Sequence, residues 1–296
     1  MQFSVIIPTY KRSDALVVTV DSVLSSSRLP TELLIIDDDE TSSELLDSFT
    51  KEAKDKHVEL RYFKKDHVKN RRGLSESKNW AASLAANDII FYLDDDVVLN
   101  SDYCAHIMNV WEENKEALLL MGVGGKISNN RPTSKWEKYY RKLFGLTGEC
   151  DWDVNAVGFQ VWDEGVSKVQ KGYYLHGGVS SYRRTLILEN PFATFSGGRT
   201  GLEDVEHCLR SKNAGFHFYY TPHAHLTHHP APAGREAVYE AAKKESANRR
   251  AIWREQCNHD FLSRLHFTLA NVGWVGKKVL SKQWSSAKGL IIGLLT

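Results

Sequence analysis

Three consecutive carboxylates, Asp94, Asp95 and Asp96, directly follow the apolar run FYL. On an extended strand, residues two apart share a face, so Asp94 and Asp96 can converge on one point while Asp95 turns away. Converging carboxylates are typical ligands of a hard cation, Mg²⁺ or Mn²⁺, whose remaining positions take water and phosphate oxygens. The triplet predicts a metal site that binds a nucleotide diphosphate; an acidic turn that caps a helix is the alternative.

A second acidic pair, Glu203 and Asp204, opens the segment 201–216, whose pattern predicts a helix that ends at Gly215. The helix dipole stabilises carboxylates in the first turn and lowers their pKa. An acidic first turn that only stabilises the helix is therefore one interpretation. A general base would need burial or a neighbouring charge to raise its pKa toward neutrality.

Four histidines lie within the seven residues HAHLTHH at 223–229. Imidazole is a common metal ligand, but a histidine after a strand is also commonly solvated or hydrogen-bonded. No cysteine lies at ligand spacing nearby, which argues against a structural zinc site. The cluster is compatible with one metal ligand and equally with none.

Apolar runs rich in β-branched residues alternate with helical patterns through the first hundred residues. The runs predict strands at 3–8, 32–37, 58–63 and 88–93. One helix is expected to begin with Ser13 as its N-cap, and another to cover 74–87. This alternation predicts an α/β fold with a mostly parallel sheet and helices on both faces.

Ligands of such sheets bind at the carboxyl ends of the strands. Polar residues stand at three of these ends, after the first, second and fourth predicted strands: Pro8, Thr9 and Tyr10; Asp37, Asp38 and Asp39; Asp94, Asp95 and Asp96. The sequence therefore predicts a polar site along one edge of the sheet.

The second half of the chain is less regular. A strand is predicted at 118–127, a second at 216–222 and a helix at 235–257. Between 128 and 172 many aromatic residues stand among glycines and charges, either burying an irregular lobe or forming a binding surface.

Composition excludes some function classes. The 296 residues carry a formal net charge of +1, which does not favour a nucleic-acid partner. Four scattered cysteines without a CxxC pair predict free thiols in a reducing compartment, the cytoplasm. No run reaches the roughly 18 apolar residues of a membrane-spanning helix.

The segment after Asp260 contains no acidic residue, and it carries five lysine or arginine residues and two tryptophans. A basic helical segment with aromatic side chains favours attachment to an anionic membrane surface through 261–296, at the inner face of the membrane. A helix that completes the core and exposes a basic face is the alternative.

Six motifs resemble, in order and spacing, those of family 2 glycosyltransferases with the GT-A fold. They are SVIIPTYKR, IIDDDE, G-x-x-x-S-K-N from Gly73, FYLDDDVV, GLEDVEHCLR and PHAHLTH from Pro222. The resemblance covers about residues 3 to 230. It implies a GT-A domain at 1–230, with a nucleotide-sugar half at 1–127 and a mixed acceptor-side half at 128–230, followed by C-terminal helices at 231–296.

The resemblance also implies roles for individual residues. Lys78 stands where the family usually has arginine, and it keeps the positive charge while losing the bidentate fork. The residues implied to bind the nucleotide sugar are Pro8, Thr9, Tyr10, Asp38, Lys78, Asp94 and Asp95; those implied to hold Mn²⁺ or Mg²⁺ are Asp94, Asp96 and His228.

The implied reaction is inverting transfer of a sugar from a nucleotide diphosphate donor to a glycan or lipid-linked acceptor. Asp204 would be the general base, with Glu203 beside it, while the cation offsets the charge of the departing diphosphate. The loop HGGVSSYRR resembles the acceptor-side loop, with Gly177 and Gly178 close to the sugar and Arg183 or Arg184 near phosphate.

Two other function classes remain open from the sequence. FYLDDDVV also resembles the motif of haloacid-dehalogenase-type phosphatases, in which Asp94 would be the nucleophile and Asp96 an acid. Three predicted strands precede it, whereas those enzymes usually place that strand first. The third class is a nucleotide-sugar or glycan-binding module without turnover, which would have no need of a base at Asp204.

Overall fold

The computed structural model describes residues 1–195, 201–231 and 236–295. Strands and helices alternate through the first half of the chain, as the apolar pattern predicts. In chain order the elements are β1 (Phe3–Thr9), α1 (Ser13–Leu24), β2 (Glu32–Asp37), α2 (Ser43–Asp55), β3 (Glu59–Lys64), α3 (Leu74–Leu84), β4 (Ile89–Leu93), β5 (Val97–Leu99), α4 (Tyr103–Glu113) and β6 (Leu120–Ile127).

The second half mixes short strands with helices and ends in three helices. Its elements are α5 (Lys135–Leu143), β7 (Asp153–Val154), β8 (Gln160–Val161), β9 (Gln170–Gly172), β10 (Val179–Arg183), α6 (Arg184–Glu189), α7 (Glu203–Asn213), β11 (His217–His228), α8 (Val238–Gln256), α9 (Phe261–Leu280) and α10 (Trp284–Leu295). No helix within these described ranges is long and apolar enough to cross a membrane.

One large sheet organises the fold. Its strand order is β3-β2-β1-β4-β10-β6-β11-β5, and β9 pairs with β11. The four strands β1 to β4 are parallel, whereas β10 runs antiparallel to both of its neighbours, β4 and β6. The predicted α/β class is confirmed, with a parallel first half and a mixed second half.

Both faces of the sheet are covered. Val5 and Ile7 of β1 contribute to one buried cluster, together with residues of α1, α2 and α4. Ile6, between them, contributes to a second cluster with residues of α3 and α7. This alternation follows from the two-residue period of a strand, and it explains why the run SVIIP is apolar on both faces.

A third, smaller cluster ties the C-terminal helices to the irregular region. Phe267 and Ala270 of α9 are buried against Leu146, Val157 and Phe159. The aromatic residues of 128–172 are therefore divided between core and surface. Trp152 is 1% exposed, whereas Trp136 and Tyr139 on α5 are 67% and 60% exposed.

Some predicted boundaries are wrong. Ser13 is the first helical residue and not the N-cap; the N-cap position is Arg12, whose guanidinium contacts Asp95 and Asp96 instead of capping the helix. The strand predicted to end at residue 222 continues to His228, because its last residues pair with β5. Gly215 follows α7 with φ of +89°, as expected for a glycine that ends a helix.

Candidate active site

The carboxyl ends of β1, β2 and β4 meet at one edge of the sheet, as predicted. They line a cleft of about 420 Å³, which we call the first cleft. The parallel register aligns Thr9 with Asp37, so the loops after β1 and β2 stand side by side. The predicted residues that line it are Pro8, Thr9, Tyr10, Asp38, Asp94, Asp95, Asp96 and His228.

Asp38 is fixed by the loop that precedes α3. The buried ammonium of Lys65 lies 2.8 Å from its Oδ1, and the Gly73 amide and Ser77 hydroxyl donate to its Oδ2 at 3.4 and 3.3 Å. Gly73 has a φ of +132°, which favours glycine. The neighbouring Asp37 accepts hydrogen bonds from Thr41 and Tyr62, so only Asp38 faces the first cleft.

Arg12 balances the charge of the aspartate triplet. Its Nη1 lies 2.9 Å from Asp95 Oδ1 and 3.1 Å from Asp96 Oδ2. Thr9 donates its hydroxyl to the other oxygen of Asp95 at 2.8 Å. Asp95 therefore links β1 to β4, and its predicted contact with ribose or sugar stays a prediction. Arg12, three residues after the end of β1, was not among the predicted site residues.

Asp94, Asp96 and His228 form a candidate cation site. One ligand atom of each lies within 4.8 Å of the others. His228 reaches the triplet because β11 pairs with β5 and places His228 opposite Val97. Its Nε2 lies 3.0 Å from Asp96 Oδ1, and the Ala231 amide donates to Asp96 Oδ2 at 2.9 Å. Two carboxylates and an imidazole suit Mn²⁺, and the carboxylates alone also suit Mg²⁺.

Asp94 also borders a second cleft, of about 390 Å³. Gly177, Gly178, Glu203 and Asp204 line it. Asp94 donates its amide to the Gly178 carbonyl at 2.7 Å. Since Asp94 and His228 line both clefts, the clefts meet at the candidate cation site.

Asp204 lines the second cleft beside Gly177. The Tyr174 hydroxyl donates to its Oδ2 at 3.1 Å and the Gly177 amide at 3.4 Å. Burial raises the pKa of Asp204, the adjacent Glu203 carboxylate raises it further, and the charges of Lys78 and His176 oppose them. The pKa is therefore raised despite the helix dipole, which is the condition that a general base requires.

Comparison with known proteins identifies the family. The model of glycosyl transferase family 2 matches residues 4–161, which is more than half of the chain. The chain belongs to this family. It is also 26% identical over 236 residues to a glucosyl-dolichyl phosphate glucuronosyltransferase of Haloferax volcanii, across 77% of this chain and 69% of the relative. The protein is therefore a glycosyltransferase.

Solved structures resemble the glycosyltransferase in fold. A mannosyltransferase of Pyrobaculum calidifontis in complex with GDP-Man and Mn²⁺ superimposes with a TM-score of 0.63 at 13% identity, over 99% of this chain and 86% of the other. TarS residues 1–349 of S. aureus give 0.59 at 14% identity, over 93% and 72%. These likenesses show the GT-A fold that the motif order predicts.

Lys78 of the glycosyltransferase occupies a different place from the one expected of a nucleotide ligand. The residue is 1% exposed, and its ammonium lies 3.1 Å from Glu203 Oε1 and 4.9 Å from the centre of the Phe192 ring. In its motif, Gly73, Leu74 and Ser77 line the first cleft. The observed contact of Lys78 is therefore with the acidic pair, and its role toward the nucleotide stays a prediction.

Behind Asp204 the glycosyltransferase has a series of polar contacts that the sequence did not predict. Because the Tyr174 hydroxyl donates to Asp204, its oxygen is left to accept from His176 Nδ1, at 3.2 Å. His176 Nε2 lies 3.8 Å from Glu164 Oε1, and Tyr220 donates to the buried Glu164 at 3.2 Å. The contacts join residues far apart in sequence, and no local pattern marks Glu164.

Several other sequence expectations are resolved by the geometry of the glycosyltransferase. His223 and His225 are exposed on β11, and among the described residues only His228 joins the metal-type cluster. Arg184 opens α6 and donates to the Ala82 carbonyl at 2.8 Å, while Arg183 lies 3.6 Å from Asp88. Neither arginine is among the described residues that line the clefts, so the expected phosphate contact is wrong.

Proposed function

We propose that the enzyme transfers a sugar from a nucleotide diphosphate donor, with inversion, to a hydroxyl of a glycan or lipid-linked acceptor. The observation that supports this most directly is the meeting of two clefts at Asp94. The first contains the candidate cation ligands and Asp38, and the second contains Asp204. Donor and acceptor would enter from opposite sides of the atoms that react.

The first cleft offers the groups that a nucleotide diphosphate needs. Asp38, fixed by Lys65 and Ser77, is positioned to accept hydrogen bonds from the nucleoside. A divalent cation at Asp94, Asp96 and His228 would neutralise the charge of the diphosphate leaving group. Arg12 holds Asp95 and Asp96 in place, so the ligand geometry is set before the donor binds.

In the second cleft Asp204 would act as the general base. As the acceptor oxygen forms its bond to the anomeric carbon, the hydroxyl proton moves to Asp204, and the bond from that carbon to the diphosphate oxygen breaks. Attack opposite to the leaving group inverts the configuration. The Glu203 carboxylate is bound to Lys78 and would influence the reaction through its charge on Asp204.

The names of related proteins support the substrate classes. The Haloferax relative is named for glucuronosyl transfer to glucosyl-dolichyl phosphate, a lipid-linked acceptor. The Pyrobaculum structure holds GDP-Man and Mn²⁺, and a TarS structure holds UDP-GlcNAc. We propose the same classes here, a nucleotide-sugar donor with Mn²⁺ or Mg²⁺ and an acceptor on a glycan or lipid carrier. Family membership argues against the phosphatase and the binding module.

We also propose the domain division at residue 230 and a cytoplasmic location at the inner face of the membrane. Residues 1–127 supply most of the first cleft, while 128–230 supply most of the second. Helices α8, α9 and α10 follow the last strand and contact one another, and α9 also packs against the 128–230 half. Four free cysteines agree with a reducing compartment.

Donor turnover tests the proposal. The full chain is incubated with Mn²⁺, a panel of nucleotide sugars and a panel of glycan and lipid-linked acceptors, and release of nucleoside diphosphate is measured. We expect release from at least one donor, lost in EDTA and reduced about a hundredfold or more in Asp96→Ala. Asp39→Ala is the matched control, because Asp39 is not among the described residues that line either cleft. Release of inorganic phosphate, or donor binding without release, would contradict the proposal.

A further inference from the structure

Two antiparallel helices beside the second cleft expose apolar side chains on the same side. Helix α5 lies along α9: Glu137 pairs with Lys277, Tyr140 donates to the Gly273 carbonyl at 2.7 Å, and His266 lies 2.7 Å from the Gly145 carbonyl. The contacts run in opposite directions along the two helices, so the pair is antiparallel.

The exposed residues of each helix stand one position before its contact residues. On α5 these are Trp136, Tyr139 and Leu143, which are 57% to 67% exposed. On α9, Leu265 and Val272 precede His266 and Gly273, and each is 56% exposed. One residue is about 100° around a helix. Because the two helices run in opposite directions, a step of one residue back from the contact residues turns to the same side of the pair on both helices. The exposed residues of α5 and α9 therefore form one surface.

We name this surface, formed by Trp136, Tyr139, Leu143, Leu265, Leu269 and Val272, the α5–α9 face. Its aromatic rings stand together, with the centres of Trp136 and Tyr139 5.9 Å apart. Contiguous exposed apolar side chains of this kind mark an interaction surface, because single exposed residues are ordinary but patches are not.

The charged residues of α5 and of the segment 261–296 are almost all basic, although Lys138 of α5 pairs with Asp163. Helix α5 contributes four basic residues and one acid, Glu137, whose carboxylate is bound to Arg141 and Lys277. The segment 261–296 contributes five basic residues and no acid. Protein–protein interfaces are depleted in lysine, whereas apolar faces flanked by lysine, with tryptophan and tyrosine, are typical of helices that lie in an anionic lipid surface.

The α5–α9 face is also adjacent to the second cleft. Arg141 donates to the Trp162 carbonyl at 3.3 Å, and the Trp162 ring lies 5.3 Å from the ring of His176, which lines that cleft. Helix α5 is therefore linked to the second cleft through Trp162. A membrane bound at this face would lie close to the site where the acceptor enters.

We propose that the α5–α9 face binds the surface of a membrane that contains anionic lipid, and that α5 shares this contact equally with α9. The inference deepens the proposed function, because it explains how a lipid-linked acceptor would reach the second cleft. Vesicle binding requires neither donor nor acceptor, so failure of the inference and failure of the proposed transfer are observed separately.

Co-sedimentation of the full chain with vesicles tests the inference. Vesicles of phosphatidylcholine and phosphatidylglycerol in equal parts are compared with vesicles of phosphatidylcholine alone. We expect binding to the anionic vesicles and at least about tenfold weaker binding to the neutral ones. No binding to either composition would overturn the inference.

Paired variants test the contribution of each helix. Trp136→Gln with Tyr139→Gln, and Leu265→Gln with Leu269→Gln, should each weaken vesicle binding about tenfold or more. Leu118→Gln is the control, because Leu118 is 79% exposed and lies outside the face. Nucleoside diphosphate release in solution should stay at the parental rate in all three proteins, which reports that they are folded. Parental vesicle binding by the α5 pair would exclude α5 from the contact.

The lysines test the electrostatic part of the contact. Lys135→Gln and Lys142→Gln should each weaken binding to anionic vesicles about fivefold, whereas Lys51→Gln on α2 should have no effect.

The competing occupant of the face is a second copy of the chain. A concentration-dependent dimer that the Leu265→Gln and Leu269→Gln pair dissociates, without a change in vesicle binding, would overturn the inference in favour of that interface.

Discussion

Asp204, the proposed general base, owes its orientation and its raised pKa to its immediate surroundings. Its Oδ2 accepts hydrogen bonds from the Tyr174 hydroxyl and the Gly177 amide, which fix the orientation of the carboxylate. Burial and the Glu203 charge raise its pKa, so the carboxylate is a stronger base than an exposed aspartate. The hydrogen bond and the burial can be separated by mutation. The Tyr174 hydroxyl positions the Asp204 carboxylate and stabilises its ionised form, whereas burial destabilises the ionised form and raises the pKa.

The variant Tyr174→Phe tests this positioning. Loss of a hydrogen bond to a charged group should lower kcat about tenfold to a hundredfold, with donor affinity unchanged. The rate should fall as the pH drops through the pKa of Asp204, because only the ionised carboxylate accepts the proton. Since the variant removes a donor to the ionised form, this fall should move to higher pH by on the order of one unit.

Tyr173→Phe is the matched control for this measurement. Its ring contacts the ammonium of Lys212, 4.9 Å from the ring centre, and lies away from the hydrogen bonds of Asp204. A Tyr174→Phe enzyme with the parental pH profile and the parental kcat would show that the hydroxyl does not position the base.

Only part of the site could be predicted from residue types. Asp94, Asp96 and Asp204 stand in recognisable local patterns, and the structure brings them to the two clefts. Lys78 and Glu164 could not be placed from the sequence, because their partners lie 125 and 56 residues away along the chain. Such contacts depend on how the elements assemble, which no short motif encodes.

At the scale of the elements, strand pairing determines where the two clefts meet. Strand β10 pairs with β4 so that Val179 lies opposite Leu93, and this register places Gly178 beside Asp94. A Cβ atom on Gly178 would overlap the carboxylate of Asp94. The glycine is therefore required for the observed position of a candidate metal ligand.

Gly178→Ala tests this requirement. The added methyl group must displace the Asp94 side chain, so metal-dependent donor affinity should fall more than about tenfold. Gly165→Ala is the control, since its added Cβ would meet only the end of the Asp163 side chain, at 3.1 Å. Isothermal titration of the donor with Mn²⁺ measures both variants. Parental affinity in Gly178→Ala would show that Asp94 can move without loss of the cation.

The elements themselves were predictable where the apolar period is clear. Strand β2 has the predicted bounds, 32–37, because its residues are buried on both faces. The extension of β11 past Pro222 was missed, although Ala224 and Leu226 are buried and alternate with exposed histidines. Helix α5 was missed although its apolar residues recur at the i, i+3, i+4 and i+7 spacing of a helix: Trp136, Tyr139, Tyr140 and Leu143.

At the scale of the whole molecule, the two clefts meet at Asp94, and Trp162 links the second cleft to helix α5. The first cleft contains the candidate cation ligands, the second contains the candidate base, and the α5–α9 face adjoins the wall of the second cleft. The GT-A sheet supplies the first cleft, and the irregular region between β6 and β10 supplies much of the second.

The central claim is that donor binding and proton removal are carried out by different residues on opposite sides of Asp94. Asp204→Asn tests it most directly, with donor affinity and transfer rate measured on the same preparation in Mn²⁺. The account predicts donor affinity within about twofold of the parent and a transfer rate lower by about a hundredfold to ten-thousandfold. Transfer at the parental rate by Asp204→Asn would contradict it.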